Sequence, residues 1–94
     1  MAERKYKVGD ELWLPCQVRP GPFSNERRVY LKVGEREWLG FVNESEIRDE
    51  RFVKARVLHI EGDRLLLGIR GSSPTSRSFV TERSTLAEHG AVAA

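Results

Sequence analysis

Arg28, Tyr30 and Lys32 stand at alternate positions, so an aromatic ring lies between two cations on one face of an extended segment. Aromatic rings stack on unpaired nucleic-acid bases, and cations attract the phosphates that join them. Phe41 supplies a second ring nearby. The sequence contains no nucleophile elbow, paired metal-binding motif or phosphate-cradling loop. These residue types therefore favour binding by stacking, and we expect no catalysis.

Two strands joined by a tight turn at residues 34–35 must position these side chains. Strict alternation of apolar and polar residues is typical of a strand with one buried face. The inward positions of the pair are Val29, Leu31, Val33, Gly40 and Val42. Because side chains alternate between the two faces, Phe41 and Asn43 are expected on the outer face near Tyr30, while Trp38 is expected to fill the core.

Three further strands follow from the same alternation. The first runs from Leu12 to Val18 and places Trp13 outward, and the fourth, at 52–60, places Lys54 and Arg56 outward. The fifth covers residues 64–70. Between the third and fourth strands the alternation is lost, and the segment predicts a short helical turn.

The expected fold is all-β: a five-stranded antiparallel OB-fold barrel with a short helical turn between strands three and four. Closing a barrel removes the exposed strand edges of a small domain. The alternative is an SH3-like barrel, in which that turn is only a long loop. We expect a flexible leader at residues 1–8, the folded domain at 9–71 and a flexible Ser-rich segment at 72–94, with a short helix considered at 81–89.

Composition limits the function classes. The formal net charge is only +2, so any electrostatic argument depends on where the charges lie. Cys16 is the single cysteine, and no zinc-type spacing joins it to His59 or His89. The charged N-terminal residues are not the pattern expected of a secretory signal, and the sequence contains no apolar stretch as long as a membrane span. We expect a cytoplasmic monomer that needs no cofactor and no metal.

Residues 40–47, GFVNESEI, resemble the Gly-hydrophobe-Val-His-x-Ser-x-Leu/Ile segment of the ribosomal S-one-type RNA-binding domain, to which the cold-shock domain is similar. Residues 53–69, VKARVLHIEGDRLLLGI, resemble the fourth and fifth strands of the same family. The resemblance implies an OB-fold that binds single-stranded RNA or DNA on the face of its second and third strands. It implies nucleic-acid contacts for Phe41 and for Asn43, where the family usually has His. Only Tyr30 stands where the family usually has two aromatic residues.

Two functions from different classes remain open at this point. The first is a non-catalytic single-stranded nucleic-acid-binding domain, with RNA as the expected ligand. Its candidate binding residues are Trp13, Arg28, Tyr30, Lys32, Phe41, Asn43, Lys54 and Arg56. The second is a small protein-interaction adaptor that uses the same exposed aromatic patch.

Overall fold

The computed structural model describes residues 5–73 and 77–94, which fold mainly into antiparallel β-strands. In chain order the strands are β1 (Glu11–Pro15), β2 (Gln17–Pro20), β3 (Glu26–Val33), β4 (Arg36–Asn43), β5 (Ile47–Arg48), β6 (Phe52–Glu61), β7 (Arg64–Gly68), β8 (Ser78–Glu82) and β9 (Val92–Ala93). A 3₁₀ helix covers Glu44–Glu46, and α1 covers Arg83–His89. The helical turn expected between the third and fourth predicted strands is therefore present.

The strands form two sheets that share one bent strand. β2, β3 and β4 form a three-stranded sheet, and the larger sheet has the order β8-β7-β6-β1-β9 with β5 added on β6. β1 pairs with β6, whereas β2 pairs with β3. The strand bends at Cys16, directly after Pro15, whose nitrogen cannot donate a ladder hydrogen bond. This bend carries the chain from one sheet to the other.

The core lies between the two sheets and is filled by the inward positions of the alternating strands. The predicted inward positions of β3 and β4 are confirmed, and Trp38 is 1% exposed, as the sequence indicates. The residues that fill the core include Leu12, Leu14, Val29, Leu31, Val33, Val42, Val53, Ala55, Val57, Leu65 and Leu67. Since one face of each strand is buried, the opposite face of β3 and β4 is left to solvent.

The strands are antiparallel and β-rich as expected, but neither sheet closes on itself among the described residues. β8 pairs with the edge of β7 that a five-stranded barrel would use for closure. The segment after β7 instead contacts β4 at an isolated β-bridge. There the backbone groups of Phe41 and Ser72 exchange two hydrogen bonds of 2.8 Å. Gly40 permits this approach, because a Cβ there would collide with the Ser72 carbonyl and lie 2.8 Å from Trp38 Cη2.

The segment after Gly71 differs from the flexible chain that its composition predicts. β8 and α1 are both formed, α1 ends at Gly90 in the left-handed conformation, and β9 pairs with β1. Leu86 of α1 is fully buried in the core, and this burial offsets the marginal stability of so short a helix. Residues 74–76 of the expected flexible segment lie outside the described residues.

The leader also differs in part from the expected flexible chain. Residues 1–4 lie outside the described residues, but Tyr6 packs against the core. Lys7 and Asp10 close the following turn with two hydrogen bonds of 2.9 and 3.0 Å. The anchoring of this segment therefore begins before the predicted domain boundary.

Candidate nucleic-acid interface

The outer face of β2, β3 and β4 presents its side chains in rows that cross the strands. Arg28 lies opposite Phe41 on one side and Arg19 on the other. Directly opposite residues have Cβ atoms about 4.5–5.5 Å apart, so this row puts the Phe41 ring beside the Arg28 guanidinium group, with Arg19 on the far side of Arg28. The next row joins Gln17, Tyr30 and Leu39. The sequence prediction that Arg28, Tyr30 and Phe41 share one face is confirmed by this register.

The far end of this face is partly acidic. Tyr30 donates a hydrogen bond of 2.9 Å to Glu37 Oε1, and Lys32 lies opposite the same Glu37. The hydrogen bond, with smaller contributions from burial and from the carboxylate charge, raises the pKa of the Tyr30 phenol. A carboxylate repels phosphates. The other end of the face holds Arg19 and Arg28 against one carboxylate, Glu26, so it is the better place for a nucleic acid.

A groove of about 380 Å³ adjoins that favourable end. Two exposed rings line it: Phe23, which is 69% exposed, and Phe41, which is 36% exposed. Asn43 and Arg70 add an amide and a guanidinium group, and Glu26 adds a carboxylate. We call this the stacking groove. It combines aromatic surface with hydrogen-bonding and cationic groups, which is the chemistry that stacked bases and their phosphates require.

Local turns and strand ends position the walls of the stacking groove. The loop after β2 is closed by a hydrogen bond of 3.0 Å from the Glu26 N–H to the Phe23 carbonyl, which holds Phe23 at its tip. Arg70 follows β7, where the chain turns toward its bridge with Phe41. Asn43 is the last residue of β4. Three separate parts of the chain therefore converge on one groove.

Asn43 has a structural role as well as a place in the groove. It caps the 3₁₀ helix: its Oδ1 accepts a hydrogen bond of 2.9 Å from the backbone N–H of Ser45. This is the usual arrangement for Asn at the start of a helical turn. The cap explains why the alternation ends here, and it orients the amide group.

The larger sheet, and not the outer face of β2, β3 and β4, carries Trp13, Lys54 and Arg56. Trp13 is opposite Lys54 in the register of β1 and β6, and the Lys54 ammonium lies 5.3 Å from the centre of the Trp13 ring. This cation–π contact engages the ring that the sequence proposed for stacking. Trp13 therefore does not join Tyr30 and Phe41 in one platform.

Lys54 and Arg56 instead line a second cavity of about 350 Å³, which we call the basic cleft. Four cations line it: Lys54, Arg56, Arg70 and Arg77. Two acids, Glu11 and the buried Glu46, also line it, so the positive charges are in excess. Arg70 lines both the basic cleft and the stacking groove. The two sets of predicted residues are therefore linked at Arg70.

The sequence analysis did not single out Phe23 or Arg70 as site residues. Phe23 lies in a loop that contains Pro and Gly and shows no hydrophobic periodicity. The one signal that could have indicated a binding role was the presence of an aromatic residue in such a loop. Arg70 is the last residue of the fifth predicted strand. Its approach to Phe41 depends on the bridge at Ser72, which no local pattern indicates.

Other kinds of site find less support in residues 5–73 and 77–94. This part of the chain holds no cluster of three or more His, Cys, Asp or Glu side chains suited to a metal ion. None of the helices in these ranges has the length and apolar character needed to cross a membrane. Comparison with known proteins returned no match: no family model fits the chain, and no curated protein or solved structure is significantly similar to it.

Proposed function

We propose that this protein is a non-catalytic domain that binds single-stranded nucleic acid, with RNA as its ligand, on the outer face of β3 and β4. The observation that supports this most directly is the stacking groove, where the exposed rings of Phe23 and Phe41 converge with Arg70. Stacking on aromatic side chains beside a positive groove is the general mode of single-strand recognition.

The fold supports the same proposal. We infer an OB-type arrangement in which the bent strand β1–β2 counts as one strand and β3, β4, β6 and β7 complete the five. The 3₁₀ helix falls between the third and fourth of these, which favours an OB-type over an SH3-like arrangement. β8 is then an addition on the edge of β7. OB-folds use this sheet face to bind oligonucleotides.

The phosphates of the ligand would contact cations on both sides of Arg70. Arg28 lies beside Phe41 on the stacking face, and Lys54 and Arg56 lie in the basic cleft that Arg70 joins to the groove. A strand bound in the groove would therefore meet the cleft as it passes Arg70. Phosphate contacts add affinity without sequence information and weaken as salt rises.

The proposal is tested by nuclear magnetic resonance titration of the labelled protein with a single-stranded RNA of about eight nucleotides, a length within the range that an OB-fold covers. We expect the largest shifts at Phe23, Phe41, Asn43 and Arg70, and small shifts in α1. Lys54→Ala should lower the affinity for RNA and weaken its dependence on salt, while the resonances that shift should remain those of the groove residues. Shifts spread over the surface, or confined to the α1 side, would contradict the assigned face.

A matched DNA oligomer decides between the two nucleic acids. RNA is expected to bind more tightly; equal or tighter DNA binding would overturn the RNA assignment while leaving the stacking groove in place. Failure of both oligomers to bind would favour the alternative function, a protein-interaction adaptor. Its docking surface would then be formed by the exposed side chains of Phe23, Leu39 and Phe41.

A further inference from the structure

Glu46 is a carboxylate in the wall of the basic cleft that the protein itself does not satisfy. It ends the 3₁₀ helix that Asn43 caps, and only 9% of its surface is exposed. Its carboxylate forms no hydrogen bond and no ion pair with residues 5–73 or 77–94. An ionised carboxylate only accepts hydrogen bonds, and a buried acceptor without a partner costs free energy. The basic cleft therefore holds an acceptor for which a ligand could supply the donor.

The Glu46 carboxylate is accessible from the basic cleft. In the described part of the chain, the fully enclosed side-chain atoms that lack a partner are Glu26 Oε1 and Trp38 Nε1, and neither belongs to Glu46. Because Glu46 lines the cleft, its oxygens open into that cavity of about 350 Å³. A ligand in the cleft would replace the water that reaches these oxygens.

The charges around Glu46 define the chemistry of such a ligand. Four cations line the same cleft: Lys54, Arg56, Arg70 and Arg77. None of the four forms an ion pair within the described ranges, so their charges are available to a bound anion. The ligand therefore needs phosphates or other anionic groups for the cations and, beside them, a hydrogen-bond donor for Glu46.

The backbone of RNA carries both kinds of group, whereas the backbone of DNA carries only the anionic one. The phosphate oxygens and the ring oxygens of the sugars accept hydrogen bonds in either strand. The 2′-hydroxyl of ribose is the donor that the DNA backbone lacks, and proteins use it to distinguish RNA from DNA at a given site. When the bases stack on Phe23 and Phe41 and the backbone lies in the cleft, the donor near Glu46 is this hydroxyl.

We propose that Glu46 makes the basic cleft selective for RNA by accepting a hydrogen bond from a ribose 2′-hydroxyl. This role rests on the proposed function, because it requires the backbone of the bound strand to pass through the cleft. The cations then hold the phosphates on either side of that ribose. With DNA, the same carboxylate loses its water, gains no donor and lies beside phosphates that it repels.

The test compares three labelled oligomers of uracil nucleotides by fluorescence anisotropy: RNA, DNA and RNA with 2′-fluoro sugars. The 2′-fluoro strand keeps the sugar conformation of RNA but has no hydroxyl donor, so its affinity separates the hydroxyl from the shape of the strand. We expect the natural protein to bind RNA about tenfold more tightly than either other strand, because a hydrogen bond to a charged group contributes at least that much.

Two variants of Glu46 test its role directly. Glu46→Ala removes the acceptor, so the ratio of the RNA affinity to the 2′-fluoro affinity should fall to about one, and DNA should bind more tightly because a repelling charge is lost. Glu46→Gln keeps the shape of the side chain and a neutral, weaker acceptor, so its ratio should lie between those of Glu46→Ala and the natural protein. Thermal unfolding of each variant checks that the fold is retained.

Glu11→Gln is the matched control for the change in charge. Glu11 lines the same cleft, but it is exposed and lies opposite Arg56 in the register of β1 and β6. Removing its charge should strengthen the binding of all three strands by a similar factor and leave the ratio unchanged. A ratio that falls equally in Glu11→Gln and Glu46→Gln would mean that charge alone sets the preference, and it would overturn the role of Glu46.

The remaining outcomes separate the role of Glu46 from the function on which it rests. Equal binding of RNA and 2′-fluoro RNA by the natural protein would overturn this role and leave single-strand binding standing, as would a ratio unchanged in both Glu46 variants. Failure of every oligomer to bind the folded natural protein would overturn both.

Discussion

Replacing Phe41 with Ala removes one wall of the stacking groove while leaving the fold almost unchanged. The side chain points away from the core, and the backbone bonds between Phe41 and Ser72 do not involve it. A stacked base is worth about 1–3 kcal/mol. Phe41 is 36% exposed, so part of its ring is already covered by the protein, and we expect the lower half of that range. The dissociation constant should therefore rise roughly 5- to 30-fold.

Leu39→Ala is the matched control for this change. Leu39 lies on the same strand and the same face, is 44% exposed, and is opposite Tyr30 rather than beside the groove. The Leu39→Ala substitution removes a similar amount of apolar surface without removing an aromatic ring. Anisotropy titration of a labelled single-stranded RNA against the natural protein, Phe41→Ala and Leu39→Ala measures both effects at one salt concentration.

The stacking account predicts a large loss for Phe41→Ala and at most a twofold loss for Leu39→Ala. Equal losses in the two variants would indicate general apolar contact, which is what a protein-docking surface would give. Unchanged RNA affinity in Phe41→Ala, with the fold intact, would refute the assignment of Phe41 as a stacking residue.

Three further predictions concern the fold and its titrating groups. Leu86→Ala should lower the free energy of unfolding by about 2–5 kcal/mol in chemical denaturation, because Leu86 is fully buried; a change below about 0.5 kcal/mol would mean that α1 does not pack on the core. Burial raises the pKa of the Cys16 thiol to about 12, so alkylation at pH 8, followed by mass spectrometry, should be far slower in the native than in the denatured protein, and equal rates would contradict this burial. The hydrogen bond to Glu37 raises the pKa of the Tyr30 phenol. The stability that this hydrogen bond contributes is therefore present below the ordinary tyrosine pKa and is lost as pH rises through the raised value. Glu37→Gln should lower the Tyr30 pKa measured by nuclear magnetic resonance of its ring, and an unchanged pKa would exclude this cause.

The alternation of the sequence predicted which residues face the core but not how the strands are arranged in space. Leu31 lies between Tyr30 and Lys32, and Ala55 lies between Lys54 and Arg56; each is buried as expected. Alternation separates inside from outside, yet it does not say which sheet an outward residue belongs to. Lys54 was therefore correctly placed outward, while its separation from Tyr30 followed only from the pairing of β1 with β6.

The C-terminal part shows a second limit of sequence reasoning. The Ser-rich composition before Ser78 is typical of a flexible segment, so the strand that follows it was not predicted. The helix has only seven residues, and a helix of that length has little stability of its own. Its order comes from the burial of Leu86 and from the pairing of β9 with β1, both of which are long-range contacts. The stacking groove has the same origin, since Phe23 and Arg70 are distant in the chain from Phe41.

The most direct test of the central claim is titration of the natural protein with a labelled single-stranded RNA at low and at moderate salt. The account predicts saturable binding at low salt that weakens as salt increases, because phosphate contacts release counterions. Circular dichroism of the same sample establishes that the protein is folded. Absence of binding by the folded protein at low salt would contradict the proposal that this β-sheet face binds nucleic acid.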